Sequence, residues 1–439
     1  MLSARYLANL SDDMVELYAQ MEYEIKRDIF KRLEKLQKVT DSTIHQVEIL
    51  KQTSELKTDV EKIVSKYNKL AQKQLISLYE EAIEKAGNSD KRYFELAKRE
   101  LSDNQSQIAS ATIDRFDMDR ENVINKTFAR NSKYFEQISD SITRMTLTVA
   151  ENSQKAFLRE CNRAYFKVIS GAYDWKSAYK SAVISLSREA IKCGYTYRAD
   201  IEGDTPTILY NYSGKTREYS IESAVRMNIL TGINQTASQQ TLENCDTTGT
   251  DLVEVSAHIG ARDIDRAGKP WANHSSWQGK VFCLSGERDY RDADGIIRHA
   301  PNFYESCGLG EPDGVCGINC RHSFYPYYEG MPLEYSKGEL DEMNDKQVPY
   351  NNKMITPYEA EQNLRICERA IRSYKSEVYG LELTHNENAP EYIKAKNKLW
   401  SWQENARDIC SQTGIQRKYI NEYIGTASGV QPRGAKPKE

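Results

Sequence analysis

The chain has 439 residues, which is more than one ordinary hydrophobic core accommodates, so two or three domains are expected. Charged residues make up 28% and the mean hydropathy is −0.70, values that favour long helices with much exposed surface over a compact enzyme. The net charge of −4 gives no basic excess for DNA or anionic lipid, and no apolar run reaches the roughly 18 residues that a membrane-spanning helix needs.

The N-terminal 194 residues contain few helix breakers and are predicted to be helical, since the first proline is Pro206. Ser11 is expected to cap a first helix. A second helix is predicted over about residues 41–84, with residues 86–90 ending it, and more helix follows to about residue 192. The first helix shows the helical period directly, because apolar side chains recur at steps of three or four: Met14, Tyr18, Met21, Ile25, Ile29, Leu33 and Leu36.

Strands and turns are predicted from residue 195 onwards. Residues 208–212 and 216–221 are expected to be strands around a turn at 213–215. A helix over about residues 222–247 follows, and residues 252–256 have the pattern of a further strand. Helices are predicted again after residue 350, over about 356–381 and 390–411, where Thr413 and Gly414 end the last one.

The pattern as a whole predicts a mainly α protein with an α+β domain. We expect a long N-terminal helical bundle or arm, a small α+β domain with loops rich in His, Cys and Trp, and C-terminal helices. The corresponding boundaries are 1–194, 195–330, a linker at 331–350, 351–425, and a disordered tail at 426–439.

The nine cysteines and the N-terminal residues indicate in which cellular compartment the protein is made and kept. The cysteines are odd in number and mostly scattered, so a disulfide framework is not expected. The first 20 residues include Asp12, Asp13 and Glu16, and they lack the basic start and apolar middle of a signal peptide. We therefore expect the protein to be made and kept in a cytosol-like compartment.

Three strings of uncommon residues stand out: HIGAR at 258–262, WANHSSWQGKVF at 271–282 and CGINCRHSFYP at 316–326. Together and in this order they resemble the phage minor capsid protein 2 family, which is similar to the head-morphogenesis proteins of Mu-like phages. The resemblance extends to the helical N-terminal half, to the strand pair before the helix with Arg226, and to the arginine-rich pattern at 364–375.

The resemblance implies a structural minor capsid protein in the head of a tailed phage or prophage. Such a protein would act in head assembly at or near the portal, be oligomeric in the virion, and could leave with the DNA. Its implied partners are portal and capsid proteins, with packaged DNA as a further candidate and no membrane, and it would pass through the host cytoplasm during assembly. The candidate binding or structural residues of the motif are Arg226, His258, Arg262, His274, Trp277, Gln278, Asn319, Arg321 and His322.

The motif segment also contains metal-ligating residue types. Cys307, Cys316, Cys320 and His322 are candidate zinc ligands, with His258 and His274 as further possible donors, because zinc takes nitrogen and sulfur donors in a tetrahedron. Cys320 and His322 alternate, so on a strand both side chains would face the same side. No second ligand pair has standard spacing, however. The main expectation is therefore a packed polar core without a cofactor, and zinc is the alternative.

A catalytic alternative uses overlapping side chains. His258, His274, Cys316 and Cys320 are candidate catalytic residues, because a Cys/His pair can form a nucleophile. The sequence contains no nucleophile elbow, phosphate-binding loop or His-Glu-x-x-His string. We therefore do not expect an enzyme. An injected effector or hydrolase, and a zinc-stabilised module that contacts DNA, are the competing hypotheses.

The two arginines of the motif have more ordinary interpretations. Arg226 lies in a predicted helix, where an arginine is usually a surface or ion-pair residue. Arg262 follows a strand end beside Gly260, and a structural salt bridge within the motif is expected for it.

Overall fold

The computed structural model describes residues 2–100, 120–195, 217–425, 429 and 431–436. The described part of the N-terminal half is helical, with helices α1 (Ala4–Asn9), α2 (Asp12–Leu36), α3 (Ser42–Glu100), α4 (Arg120–Ile169) and α5 (Trp175–Arg188). None of the described helices is long and apolar enough to cross a membrane.

Helix α2 buries the face that the sequence predicted. All members of its apolar stripe are 2% exposed or less, from Met14 to Leu36. The predicted cap is absent, because the Ser11 side chain makes no capping hydrogen bond. Helix α1 ends at Leu10 with helical dihedrals, and Ser11 follows with φ −96° and ψ 0°, outside the extended conformation that a capping serine needs.

Helix α3 does not end near residue 84, as predicted, but continues through Gly87 to Glu100. Its 59 residues make a rod of about 90 Å. Asp90, in the segment that was predicted to end the helix, is instead fully buried and accepts a hydrogen bond from the Asn244 side chain at 2.7 Å. The Tyr93 ring stacks on the Tyr325 ring at 4.0 Å. These tertiary contacts outweigh the roughly 1 kcal/mol that a glycine costs inside a helix.

The second half of the chain combines helices with short antiparallel strands, which confirms the predicted fold class. Its helices are α6 (Ile221–Thr248), α7 (Phe303–Cys307), α8 (Lys337–Asp345), α9 (Pro357–Leu383) and α10 (Pro390–Thr413). The strands are β1 (Lys192–Tyr195), β2 (Arg217–Ser220), β3 (Leu252–Val255), β4 (Val281–Cys283), β5 (Arg288–Arg291), β6 (Ile297–Ala300), β7 (Phe324–Tyr327), β8 (Val348–Tyr350) and β9 (Lys353–Ile355).

Strand β3 is the centre of a three-stranded sheet with the order β4-β3-β7. The other described strands form the pairs β1–β2, β5–β6 and β8–β9. Strand β2 confirms the return strand predicted at 216–221, whereas the strand predicted at 208–212 and its turn lie outside the described residues. Leu252 belongs to one apolar cluster while Val253 and Val255 belong to another, so both faces of β3 are buried.

One large apolar core joins the N-terminal helices, α6 and the two C-terminal helices α9 and α10. Lys26 of α2 connects three of these helices, because its ammonium group donates to the Ser187 carbonyl at 3.1 Å and to the Ser376 hydroxyl at 3.2 Å. Helix α6 lies between this core and the sheet. Its Asn234 side chain donates to the carbonyl oxygen of His322 at 2.8 Å, directly before β7.

The predicted linker at 331–350 contains helix α8 and strand β8, and it packs onto the sheet region. Asn344 of α8 accepts a hydrogen bond from the Gln278 side chain at 2.7 Å. The described residues of the predicted tail contain no helix or strand, but they also make contacts. Ala435 donates its backbone N–H to the Lys396 carbonyl at 3.1 Å, and the Gln431 side chain donates to the Ile424 carbonyl at 2.7 Å.

Glu254 of β3 is expected to make the stability of the folded protein depend on pH. It is 1% exposed, and burial raises its pKa from 4.5 to about 8. The folded protein therefore holds this proton more tightly than the unfolded chain, so stability falls as the pH rises from about 4.5 to 8. We expect Glu254→Gln to increase the free energy of unfolding at pH 8 by about 2–4 kcal/mol, and to have little effect near pH 5.

Chemical denaturation at the two pH values measures this difference. Glu287→Gln is the matched control, because the Glu287 side chain is 72% exposed and its neutralisation should have little effect at either pH. An equal effect of Glu254→Gln at both pH values would contradict the assignment.

Candidate functional site

The three sequence strings of the motif come together at one end of the three-stranded sheet. Strand β3 leads into His258, a short 3-10 turn at His274–Ser276 presents His274, and the loop before β7 carries Cys320 and His322. The backbone N–H of His274 donates to the Arg262 carbonyl at 2.7 Å, which joins the first string to the second.

His274, Cys320 and His322 form a buried cluster. The Cys320 Sγ lies 3.7 Å from the His274 Nδ1 and 3.6 Å from the His322 Nδ1. All three residues are 2% exposed or less. The His258 ring stacks on the His322 ring at 4.2 Å, and the Trp277 ring packs against the His274 ring at 4.6 Å. Three of the sequence-predicted residues, His274, Cys320 and His322, therefore meet within hydrogen-bonding reach.

Hydrogen bonds on the outer side of the cluster fix both imidazole rings. The His274 Nε2 lies 2.9 Å from the Asp313 carbonyl oxygen, and the His322 Nε2 lies 3.0 Å from the Gln278 Oε1. The same Gln278 oxygen accepts the backbone N–H of His258 at 3.0 Å, which sets the amide orientation. Because both Nε2 atoms face acceptors, each carries the proton, and each Nδ1 directs a lone pair at the Cys320 sulfur.

The loop that supplies Cys320 is tightly built. Cys316 and Asn319 have φ of +56° and +57°, in the left-handed region that side chains rarely adopt. A Cβ at Gly314 would lie 2.0 Å from the Gly308 carbonyl oxygen, so only glycine fits there. Arg262 donates to the carbonyl oxygens of Asp313 and Ile318, both at 3.1 Å, instead of forming the expected salt bridge. Its guanidinium group thus holds the loop in place.

The two other candidate zinc ligands lie apart from this cluster. Cys307 and Cys316 belong to the apolar core beside the sheet, together with Trp277 and Phe303. The Cys316 Sγ accepts a hydrogen bond from the Ser238 hydroxyl at 2.8 Å. Among the described residues, the group with metal-ligand geometry is His274, Cys320 and His322. The sequence named all three among the possible zinc donors, with Cys320 and His322 in the preferred set and His274 as a further donor.

The electrostatics of the cluster do not favour a cysteine nucleophile. Burial raises the pKa of the Cys320 thiol. Burial also lowers the pKa of His274 to about 3, assisted by the nearby Arg262, and that of His258 to about 4, assisted by Arg321. A thiolate–imidazolium pair needs the opposite shifts. The thiol and the imidazoles are therefore neutral at pH 7 as they stand.

A polar cavity of about 220 Å³ adjoins the cluster. His258, Asn319 and Arg321 of the motif line it, and helix α9 contributes further walls that the sequence did not identify as part of the site: Tyr358, Glu361, Gln362 and Arg365. Arg321 donates to Glu361 at 3.2 Å and to the Gly260 carbonyl at 3.2 Å. The Glu361–Arg365 spacing predicts an ion pair on a helix, but it does not reveal which distant segment that helix covers.

Arg226 lies outside this site, in the first turns of α6. Its guanidinium group donates to the Asn421 side chain at 2.8 Å and lies 3.9 Å from an oxygen of Asp12. These contacts join α6 to the start of α2 and to the C-terminal segment.

Comparison with known proteins identifies the family. The model of the phage minor capsid protein 2 family matches residues 2–410. The chain belongs to this family. A structural protein of Lactococcus phage LL-H is 24% identical over 309 residues, covering 70% of this chain and 76% of that protein. A structural protein of Lactococcus phage mv4 is 31% identical over 125 residues, covering 28% of this chain and 91% of that protein.

No solved structure matches the chain. The family match spans the helical half, the motif and the C-terminal helices, so it covers more than the three strings that carried the resemblance. Family membership makes the chain a phage structural protein that associates with other proteins of the virion.

Proposed function

We propose that this chain is a minor component of the tailed-phage head that acts in head assembly at or near the portal. The observation that carries the proposal is the match of the minor capsid protein 2 family over residues 2–410. The resemblance of the motif strings to Mu-like head-morphogenesis proteins supports a position beside the portal. In this role the helical body binds the portal protein, and the sheet region with its buried motif supplies a rigid second contact.

The helical body has an exposed apolar end that suits such a contact. The start of α3 meets the end of α4 and the start of α5 there, because the His45 ring lies 6.1 Å from the Tyr165 ring of α4 and stacks on the Trp175 ring of α5 at 3.9 Å. Large apolar side chains on the outer faces of these segments are 55–68% exposed: Ile44, Val47, Leu50, Phe166 and Ile169. We call these five residues the apolar end.

An apolar surface of this kind favours a protein partner. Exposed apolar patches on soluble proteins commonly mark interfaces with other proteins. The net charge of −4 and the absence of a basic excess do not favour packaged DNA as the main partner. The neutral state of the His/Cys cluster does not favour the hydrolase hypothesis in its nucleophilic form. We therefore propose that the apolar end contacts the portal protein.

Incorporation into particles tests this proposal. In the phage that encodes this chain, Val47→Glu and Phe166→Glu place a carboxylate on the apolar end, at side chains that are 63% and 68% exposed. Burying an unpaired charge in an interface costs several kcal/mol, and each 1.4 kcal/mol is tenfold in affinity. We expect the copies of this chain per purified head to fall at least about tenfold.

The matched control is Ile297→Glu, which changes an equally exposed apolar residue on the β5–β6 hairpin, 61% exposed, away from the apolar end. It should leave incorporation unchanged. Normal incorporation of folded Val47→Glu and Phe166→Glu proteins, or an equal loss with the control, would refute the proposed contact.

A further inference from the structure

We propose that His274, Cys320 and His322 bind one zinc ion through His274 Nδ1, Cys320 Sγ and His322 Nδ1, with a fourth coordination position open to the adjacent cavity. The three donor atoms lie within 4.8 Å of one another. Soft thiolate and imidazole donors in this combination suit zinc among the common cellular metals. The inference does not depend on the portal contact proposed above.

The two sulfur–nitrogen distances within the cluster match those of a tetrahedral zinc site. Zinc–sulfur bonds are about 2.3 Å and zinc–nitrogen bonds about 2.0–2.1 Å, so a tetrahedral angle places sulfur and nitrogen about 3.6 Å apart. The Cys320 Sγ lies 3.6 Å from the His322 Nδ1 and 3.7 Å from the His274 Nδ1. The Cys320 sulfur therefore already has the spacing from both imidazole nitrogens that the metal requires.

The proton count of the cluster leads to the same conclusion. Both imidazoles carry their proton on Nε2, where the Asp313 carbonyl and the Gln278 amide oxygen accept it. Both Nδ1 lone pairs point at one sulfur, and a thiol has one proton, so it can satisfy only one of them. A buried acceptor without a donor costs about 1–3 kcal/mol. A cation bound by a Cys320 thiolate satisfies both lone pairs at once.

The outer hydrogen bonds have the form that supports metal-ligating histidines. Such histidines generally donate the other ring N–H to a carbonyl or carboxylate, which fixes the ring and its tautomer. Asp313 does this for His274 through its backbone, and Gln278 does it for His322 through its side chain. Gln278 is held in turn by Asn344 of α8 and by the backbone N–H of His258. This support is in place without the metal.

The fourth position faces a polar cavity. His274, Cys320 and His322 all line the cavity of about 220 Å³. The His258 Nδ1 lies 3.0 Å from the Ile259 carbonyl oxygen and carries the ring proton, which leaves a lone pair on Nε2. This Nε2 is buried and has no hydrogen-bond partner. A metal-bound water in the cavity supplies the missing donor. Three protein ligands and one water are the arrangement of zinc sites that keep an exchangeable position.

Metal analysis of the purified full-length chain tests the site. After dialysis against zinc and then against metal-free buffer, we expect about one zinc per chain. Replacement by cobalt should give intense near-ultraviolet absorption from the thiolate–cobalt bond and visible bands of a four-coordinate ion. A chelator should remove the metal and lower the Tm. A folded wild-type protein that takes up neither zinc nor cobalt would overturn the proposal.

Variants separate the ligands from their neighbours. Cys320→Ala and His322→Ala should lose the metal and the cobalt spectrum. Cys316 is a nearby buried cysteine that is not one of the proposed ligands, so Cys316→Ala should keep the metal and the spectrum. Circular dichroism establishes that each variant is folded. Equal metal loss in folded Cys316→Ala and Cys320→Ala proteins would refute the assigned ligands. Azide should shift the visible bands of the cobalt protein, and an unchanged spectrum would refute the open fourth position.

Discussion

Replacing Phe303 by alanine is expected to lower the free energy of unfolding by about 3–5 kcal/mol. Phe303 is fully buried. Its ring packs edge-on against Phe324 at 4.8 Å and at a tilted angle against Phe282 at 6.1 Å. It thereby joins α7 to strands β4 and β7. The large cost follows because the surrounding strands and loops cannot close the cavity without moving the motif. Chemical denaturation of the purified chain measures the loss.

Two further variants control this result. Tyr304→Ala removes the adjacent aromatic side chain, which is 45% exposed, and should cost less than about 1 kcal/mol. Phe303→Leu retains most of the buried volume and should have an intermediate cost. If Phe303→Ala lowers the free energy of unfolding no more than Tyr304→Ala does, α7 does not pack onto the sheet as described.

The second large effect is expected from Arg188→Ala, at about 3 kcal/mol. Arg188 ends α5 and binds Glu377 of α9 through two hydrogen bonds of 2.6 and 3.0 Å. The Glu377 side chain is 2% exposed, so removing the arginine leaves a buried carboxylate without its counter-charge. The arginine itself is 49% exposed, which places the expected cost at the lower end for a buried pair.

The matched control is Arg144→Ala. Arg144 and Asp140 form an ion pair at 3.5 Å on α4, and both side chains are more than 60% exposed. Its loss should cost less than about 1 kcal/mol. Similar costs for the two substitutions would show that α9 does not pack against α5 through this pair, and the shared core of the N-terminal and C-terminal helices would be in doubt.

The local pattern of the sequence predicted the helices well, but not where they end in a tertiary setting. The stripe of α2 is predictable because one buried face repeats at the helical period over many residues. The end of α3 was predicted wrongly because Gly87 and Asp90 have the composition of a helix terminus. Their true state depends on Asn244 and Tyr325, which are far away in sequence. No local pattern contains that information.

The sequence likewise predicted part of the candidate site: which residues belong to it, but not all of their roles. The sequence indicated that His258, His274, Cys320 and His322 belong together, because uncommon residues coincide in three strings. It did not distinguish Cys316 from Cys320 as a metal ligand. That difference depends on the left-handed conformation at residue 316, which turns the Cys316 side chain towards Ser238. The contribution of Glu361 was missed because α9 reaches the motif only through the packing of the helical core.

The most direct test of the proposed role is photo-crosslinking inside assembled heads. A photoreactive phenylalanine derivative placed at position 166 on the apolar end should crosslink to the portal protein, as identified by mass spectrometry of the purified particles. The same derivative at position 297, on the exposed β5–β6 hairpin, should give no portal crosslink. Portal crosslinks from position 166 alone are the result expected here. Particles that contain the chain but give no portal crosslink from position 166, or equal portal crosslinks from both positions, would contradict the account.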